Sequence, residues 1–138
     1  MKKSFRFIGI ATSFLLFYST TASAQSMVDG VYLSTGDANG TGVCTLIIKT
    51  LDEPHKYGGD VFELESSGEG SCEWSAVGTS KNYTINGGMV TAGGAPAFVK
   101  LSFPFGPAGN RMELTALDLD GSMRLNQVFS KQDETASD

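Results

Sequence analysis

The sequence predicts an all-β protein, a single small antiparallel up-and-down β-barrel of about eight strands. Short segments alternate apolar and polar residues, which predicts strands with one buried face. Most of the 17 glycines stand between these segments, where turns are expected. No window of about 11 residues shows helical periodicity. A closed barrel requires the last strand to pair with the first, which removes exposed edges. A two-sheet β-sandwich is the alternative that the pattern leaves open.

Four strands are predicted in the first half of the domain, at residues 30–33, 43–50, 60–66 and 71–77. In the third of these strands, alternation directs Phe62 and Leu64 inward. Glu63 and Glu65 then point outward. A polar, glycine-containing turn at 67–70 joins the third strand to the fourth as a hairpin. Each strand is therefore expected to bury one face and to expose the other.

Further strands are predicted in the second half, at residues 82–86, 89–91, 97–103, 111–117 and 122–130. Gly87 and Gly88 follow Asn86, a combination that favours a turn, so the first two segments are predicted as separate strands. Bulky side chains at inward positions are expected to fill the barrel: Phe62, Trp74, Tyr83, Leu101, Phe103, Met112, Leu114, Met123 and Phe129.

The two cysteines, Cys44 and Cys72, both fall at inward positions of predicted strands. An even pair of cysteines in a small exported domain indicates a disulfide. Closing a loop of this length is expected to stabilise the fold by about 3–4 kcal/mol. With one histidine and no CxxC pair, the sequence predicts neither a metal site nor a cofactor.

The first 24 residues have the three-part layout of a secretory signal peptide. Lys2, Lys3 and Arg6 precede an apolar run at 7–18, and the small residues of Ala22-Ser23-Ala24 complete a cleavage site. The apolar run is shorter than the roughly 20 residues that cross a bilayer. No cysteine follows it to accept a lipid. The chain is therefore predicted to be periplasmic or secreted, without stable membrane insertion.

Cleavage would leave a barrel domain at 25–130 and a flexible polar tail at 131–138. Three basic residues leave with the signal peptide, so seven remain against 15 acidic ones, a net charge of about −8. A chain this acidic is not expected to bind nucleic acid, which requires clustered cations. Its charge favours a basic partner instead.

The sequence carries no recognisable catalytic motif. His55 stands alone in a predicted loop, and no GxSxG sequence is present. Glu63 and Glu65, with Glu73 nearby, form an acidic patch on the predicted outer face. Solvated carboxylates do not gain the shifted pKa that acid–base catalysis needs. We therefore assign no catalytic residues, do not expect an enzyme, and interpret the patch as a contact surface for a basic protein.

A proline-flanked loop is the clearest candidate recognition element. It contains Phe103, Pro104, Phe105, Gly106 and Pro107. Prolines stiffen a loop and lower the entropy cost of binding. An exposed Phe105 would anchor a partner. The alternative is that Phe105 turns inward and plugs one end of the barrel.

The chain is small and begins with a predicted signal peptide. Its predicted strands are separated by glycines, and its one predicted disulfide lies early in the barrel. After the leader, the whole chain resembles the eight-stranded barrels of periplasmic metalloprotease inhibitors and, more loosely, of c-type lysozyme inhibitors. The lysozyme inhibitors carry SGxxY and YxxxTKG loops, whereas residues 67–71 here lack the tyrosine and 83–87 lack the Thr-Lys pair. The likeness is therefore one of architecture, and it implies a small exported inhibitor.

These observations favour a binding protein, an inhibitor or immunity-type protein that blocks a basic hydrolase through its loops and acidic surface. The alternative function is a lipocalin-like carrier, since barrels of about eight strands can hold one small apolar ligand. The bulky inward side chains favour a filled barrel. A filled barrel acts through its surface, as the first hypothesis requires.

Overall fold

The computed structural model describes residues 26–35 and 42–133. The predicted signal peptide at 1–24, most of the loop between the first two strands and the end of the polar tail lie outside these ranges. In the described residues there is no α-helix, and no helix is long and apolar enough to cross a membrane.

Eight antiparallel strands form a closed barrel in which each strand pairs with the next along the chain. They are β1 (Gly30–Ser34), β2 (Thr45–Thr50), β3 (Val61–Ser67), β4 (Trp74–Lys81), β5 (Thr84–Thr91), β6 (Pro96–Ser102), β7 (Arg111–Leu117) and β8 (Met123–Lys131). A short 3₁₀ turn, Gly70–Cys72, precedes β4. The barrel closes because β1 pairs with β8, with Leu33 opposite Ser130. The predicted up-and-down barrel is confirmed, and the sandwich alternative is wrong.

The inward side chains fill the barrel. Tyr32, Leu64, Leu101, Met112 and Phe129 each expose none of their surface. A void large enough to hold water would expose the side chains that line it, so no such void borders these residues. The predicted core is therefore largely right.

Tyr83 and Met123 were predicted inward and are instead exposed by 66% and 64%. Met123 begins β8, opposite Leu117 across a register shift at the end of β7. The alternation counted from the middle of β8 therefore does not extend to its first residue. Tyr83 lies in a turn, where alternation does not apply.

The turn between β4 and β5 consists of Asn82 and Tyr83, and not of the predicted glycine pair. Lys81 pairs directly with Thr84, which leaves a two-residue connection. Asn82 and Tyr83 have φ angles of 52° and 59°, as the two central residues of a type I′ hairpin turn require. Residues 84–91 therefore form one continuous strand instead of two.

Glycines in the middle of β4 and β5 have a different role, because they let the two backbones approach closely. Gly78 lies directly opposite Gly87. A Cβ at Gly78 would stand 2.7 Å from the carbonyl oxygen of Asn86, and one at Gly87 would clash with the carbonyl oxygen of Val77. A side chain at either position would push the strands apart. The glycine pair is thus a requirement of strand packing.

We expect Gly78→Ala and Gly87→Ala each to lower the free energy of unfolding by about 1–3 kcal/mol, because both overpack backbone. Gly88→Ala is the matched control, since a Cβ there meets no atom within 4 Å. Urea denaturation of the three variants measures the difference. Equal stabilities for all three would show that the close approach does not matter.

A disulfide joins Cys44 to Cys72, as predicted. The two Cα atoms are 5.2 Å apart, and the cysteines are separated by 28 positions in the chain. Both side chains are fully buried. The bond ties the segment before β2 to the 3₁₀ turn before β4, at the same end of the barrel.

Replacing both cysteines with alanine is expected to lower the free energy of unfolding by about 3–4 kcal/mol, because the unfolded chain regains the entropy of an open loop. Chemical denaturation with and without a reductant measures the effect. If reduction destabilises the wild-type chain but leaves the double variant unchanged, the loss belongs to this bond. A double variant as stable as the wild type would contradict the expectation.

Candidate functional site

Four chain segments meet at one end of the barrel, which we call the mouth end. They are the segment before β1 (26–29), the β2–β3 loop (51–60), the β4–β5 turn (82–83) and the β6–β7 loop (103–110). Antiparallel pairing brings these segments together, because β1, β3, β5 and β7 begin where β2, β4, β6 and β8 end. The opposite end carries the disulfide, and we call it the disulfide end.

The segment before β1 is anchored over the mouth end. Val28 is buried with the core, and the Tyr32 hydroxyl donates a hydrogen bond to its carbonyl oxygen at 2.8 Å. The Lys131 ammonium donates to the carbonyl oxygen of Met27, also at 2.8 Å. Strands β1 and β8, which close the barrel, therefore also fix the chain that enters it.

Asp29 provides a second anchor for this segment. Its Oδ1 accepts hydrogen bonds from the backbone N–H of Thr50 at 2.9 Å and from the Thr50 hydroxyl at 2.7 Å. Its Oδ2 accepts from the backbone N–H of Ser26 at 3.3 Å. The carboxylate thus ties the entering chain to the end of β2, since bonds to a charged acceptor are stronger than neutral ones.

The β6–β7 loop holds its own shape through two consecutive turns. Gly106 N–H donates to the carbonyl oxygen of Phe103, and Gly109 N–H donates to that of Gly106, both at 3.0 Å. Phe103 N–H donates to the carbonyl oxygen of Tyr83, again at 3.0 Å. This last bond couples the loop to the β4–β5 turn. A loop ordered in this way loses little entropy on binding.

Phe105 is 74% exposed on this loop, so the alternative that it plugs the barrel end is wrong. Phe103, which the sequence placed in the same recognition loop, is only 4% exposed and belongs to the core. Val28 and Phe103 occupy the space at this end of the barrel, and Phe105 is left outside. Pro104 is exposed beside it, while Gly106 and Pro107 are partly exposed.

A cleft of about 230 Å³ lies between these segments. The buried side chains of Phe62, Ile85 and Phe103 line its inner part, and Met27 and Tyr83 line its opening. Pockets for drug-sized ligands measure roughly 300–1,000 Å³. This cleft is smaller, and its size and apolar lining suit a single apolar side chain.

Large exposed side chains surround the cleft or lie on neighbouring loops of the mouth end. Exposure is 65% for Met27, 83% for Tyr57, 66% for Tyr83 and 74% for Phe105. Sequence reasoning missed Met27 and Tyr57, and it assigned Tyr83 to the core. The sequence did contain a sign that Tyr83 lies in a turn. It follows Asn82, and asparagine tolerates the positive φ angles that turns require.

The predicted acidic patch does not form one surface with the Phe105 loop. Glu65 and Glu73 line a shallow depression of about 450 Å³ on the outer wall, close to the disulfide end. Glu63 lies nearer the mouth end on β3, opposite Lys49 on the neighbouring strand. The three carboxylates extend along the wall, and Glu73 is at the far end from Phe105.

His55, the one histidine, lies exposed in the β2–β3 loop at the mouth end. Its Nδ1 accepts a hydrogen bond from the Tyr57 backbone N–H at 3.2 Å, and the two rings are 5.5 Å apart. The Lys56 ammonium lies 4.6 Å from the centre of the Tyr57 ring. Over residues 26–35 and 42–133, no three His, Cys, Asp or Glu side chains are grouped closely enough to hold a metal ion.

The β7–β8 turn adds two carboxylates at the disulfide end. Asp118 forms an ion pair with Arg124 at 2.5 Å. The Ser122 hydroxyl and backbone N–H both donate to Asp120, and these hydrogen bonds hold the pKa of that carboxyl below its usual range. Asp120 therefore stays ionised and contributes to the negative charge of this end.

The chain matches no family model, no curated protein and no solved structure. A barrel of this kind serves many functions, so the fold alone does not assign one. The exposed aromatic residues of the mouth end are the features of this barrel that bear on its function.

Burial, reinforced by the nearby Asp29 carboxylate, raises the pKa of Tyr32 to about 12 from its usual 10. Between these pH values the unfolded chain loses the phenol proton while the folded chain keeps it. We therefore expect the free energy of unfolding to fall by about 2–3 kcal/mol as pH rises through this window.

Tyr32→Phe should remove this part of the pH dependence and also release Val28 from its hydrogen bond. Urea denaturation between pH 9 and pH 12 measures both effects, and Tyr57→Phe, which removes an exposed phenol, is the control. A Tyr32→Phe variant with the same pH profile as the wild type would contradict this assignment.

Proposed function

We propose that this chain is an exported binding protein that inhibits a basic hydrolase by inserting its mouth-end loops into the enzyme. The observation that carries the proposal is Phe105, which is 74% exposed on an internally hydrogen-bonded loop. Phe105 therefore presents a large apolar side chain from an ordered loop, and rigid aromatic residues are typical anchors of protein interfaces.

The filled interior favours surface binding over a lipocalin-like carrier. Inward side chains such as Leu64, Met112 and Phe129 expose no surface, so they leave no room for a ligand among them. The mouth-end cleft, at about 230 Å³, is too small to enclose a typical ligand. It is suited to receive one apolar side chain from a protein partner.

The arrangement of the mouth end supports a protein as the partner. Phe105 projects from the loop whose Phe103 and Pro107 line the cleft, so the mouth end both offers an apolar anchor and has room to receive one, as paired hot spots do at interfaces. The β6–β7 loop and the β4–β5 turn are joined by the Phe103–Tyr83 hydrogen bond, which keeps the surface in one shape. A preformed, projecting loop is the geometry that blocks an enzyme cleft.

Charge supports a basic partner. Without the predicted leader, the chain carries seven basic residues against 15 acidic ones. The mouth end itself carries both signs, with Asp52, Glu53 and Asp60 on the β2–β3 loop and with Lys56, Lys81, Arg111 and Lys131 on or beside its segments, so the attraction comes from the net charge of the whole chain. Such a charge attracts a cationic protein over long range and raises the association rate more than the final affinity. Basic lysozymes are a concrete class to test.

Phe105→Ala is expected to weaken binding to the target hydrolase at least about tenfold, because it removes the anchor. The measurement is the inhibition constant and dissociation rate against a panel of purified basic hydrolases, lysozymes included. Leu119→Ala is the matched control, since Leu119 is 66% exposed in the turn at the opposite end. The proposal fails if no member of the panel is inhibited, or if Phe105→Ala and Leu119→Ala behave alike.

A triple variant in which Glu63, Glu65 and Glu73 are each replaced by glutamine loses three negative charges. We expect it to associate with the target hydrolase several-fold more slowly at low salt, and with a weaker dependence on salt. Dissociation should change little, because these carboxylates lie along the wall and away from Phe105. Stopped-flow association at two ionic strengths measures this. An unchanged association rate would remove the acidic patch from the proposal while leaving the Phe105 anchor in place.

A further inference from the structure

The mouth-end cleft has a polar rim in addition to its apolar floor. The floor consists of Phe62, Ile85 and Phe103, which are each at most 4% exposed. Asp60 and Asn82 also line the cleft, and both are exposed to water at its opening. An apolar side chain in the cleft would cover these polar groups without bonding to them, which costs free energy. The cleft is therefore best filled by a side chain with an apolar stem and a polar end.

The position of Asp60 directs its carboxylate to the cleft side of the sheet. Asp60 directly precedes β3 and lies two positions before Phe62, so the two side chains share one face. The Asp60 carbonyl oxygen accepts a hydrogen bond from the Ser80 N–H at 3.4 Å, which continues the β3–β4 pairing to this point. The backbone that carries the carboxylate is thus held by the barrel, beside the buried Phe62.

Among the described residues that line the cleft, Asp60 alone is charged. Its carboxylate forms no hydrogen bond or ion pair within the described parts of the chain. Of the nearby lysines, Lys131 donates its hydrogen bond to the Met27 carbonyl oxygen. Lys81 follows Ser80 in β4, so its side chain points to the outer face of the sheet. The cleft therefore presents a negative charge that is available to a cation from outside.

We propose that the cleft takes an arginine side chain of the basic partner, with its methylene stem on the apolar floor and its guanidinium on the Asp60 carboxylate. This inference rests on the proposed function, because the basic hydrolase supplies the arginine. Arginine buries an apolar stem while its charged head stays at a wet rim. The guanidinium donates in a fixed fork to carboxylate oxygens and stacks on aromatic rings, and Tyr83 lines the same opening. Lysine offers the stem but neither the fork nor the plane.

Small probes test the cleft without a hydrolase. In NMR titrations of the chain at constant ionic strength, N-acetyl-arginine amide should shift the amide signals of Tyr83 and Ile85 saturably, with a dissociation constant on the order of 10 mM. N-acetyl-citrulline amide carries a neutral urea of similar shape and should bind at least about threefold more weakly. The proposal is overturned if the arginine probe gives no saturable shift up to about 100 mM. Equal binding of the two probes would also overturn it.

Asp60→Asn removes the charge while it keeps the size of the side chain. It should weaken binding of the arginine probe at least about threefold and leave binding of the citrulline probe unchanged. Glu53→Gln is the matched control, since Glu53 is an exposed carboxylate of the same loop that does not line the cleft. If the two variants weaken the arginine probe equally, the attraction comes from net charge and the role of Asp60 is refuted.

Tyr83→Asn tests the choice of arginine over lysine. Asparagine tolerates the positive φ of 59° at this position, so the turn is retained. Loss of the ring should weaken binding of N-acetyl-arginine amide more than binding of N-acetyl-lysine amide, because a guanidinium stacks on aromatic rings. Equal weakening of both probes, with normal folding by circular dichroism, would refute the assignment to arginine.

A hydrolase, once one is inhibited, separates this inference from the proposed function. Asp60→Asn should raise its inhibition constant about tenfold, and Glu53→Gln should raise it less than about twofold. Inhibition that is insensitive to Asp60→Asn would overturn this inference and leave the proposed function standing. A panel without any inhibited hydrolase would overturn the proposed function, while Asp60-dependent binding of the arginine probe would still support the chemistry assigned to the cleft.

Discussion

Closure of the barrel by β1 and β8 is the constraint on which the other features depend. Their register, with Leu33 opposite Ser130, leaves no unpaired edge in the sheet and forces every strand to curve. The Lys131 and Tyr32 side chains next to this junction also hold the chain that enters the barrel. The strands that complete the sheet therefore also hold in place the segment of Met27 and Val28, which lines one side of the mouth-end cleft. Without it, both the core and the candidate site would lose their boundary.

Closure also decides where function can reside. A barrel of eight strands in a chain this short leaves an interior that side chains can fill, and here they do. Binding is thereby confined to the ends and the outer wall. The mouth end carries exposed aromatic residues on ordered loops, and the binding surface is proposed there.

Alternation of polarity predicted most of the core correctly, because a half-buried strand must direct every second side chain inward. It failed at Tyr83 and Met123, which lie in a turn and at the end of a shifted strand. It also misplaced the β4–β5 hairpin. Paired glycines usually indicate a turn, but Gly87 faces Gly78 across two strands, and that closeness is visible only once the strands are paired. The cysteines were paired correctly because only two exist.

The sequence by itself determined the fold class, the disulfide, the acidity and the loop that carries Phe105, since each depends on local pattern or composition. The tertiary structure alone decided that Phe105 is exposed while Phe103 is buried, because that depends on which side chains fill the mouth end. It also decided that Asp60, Ile85 and Phe103 line one cleft. These residues lie far apart in the chain, and only strand register brings them together. Register is a property of the whole closed sheet and cannot be obtained from any one segment.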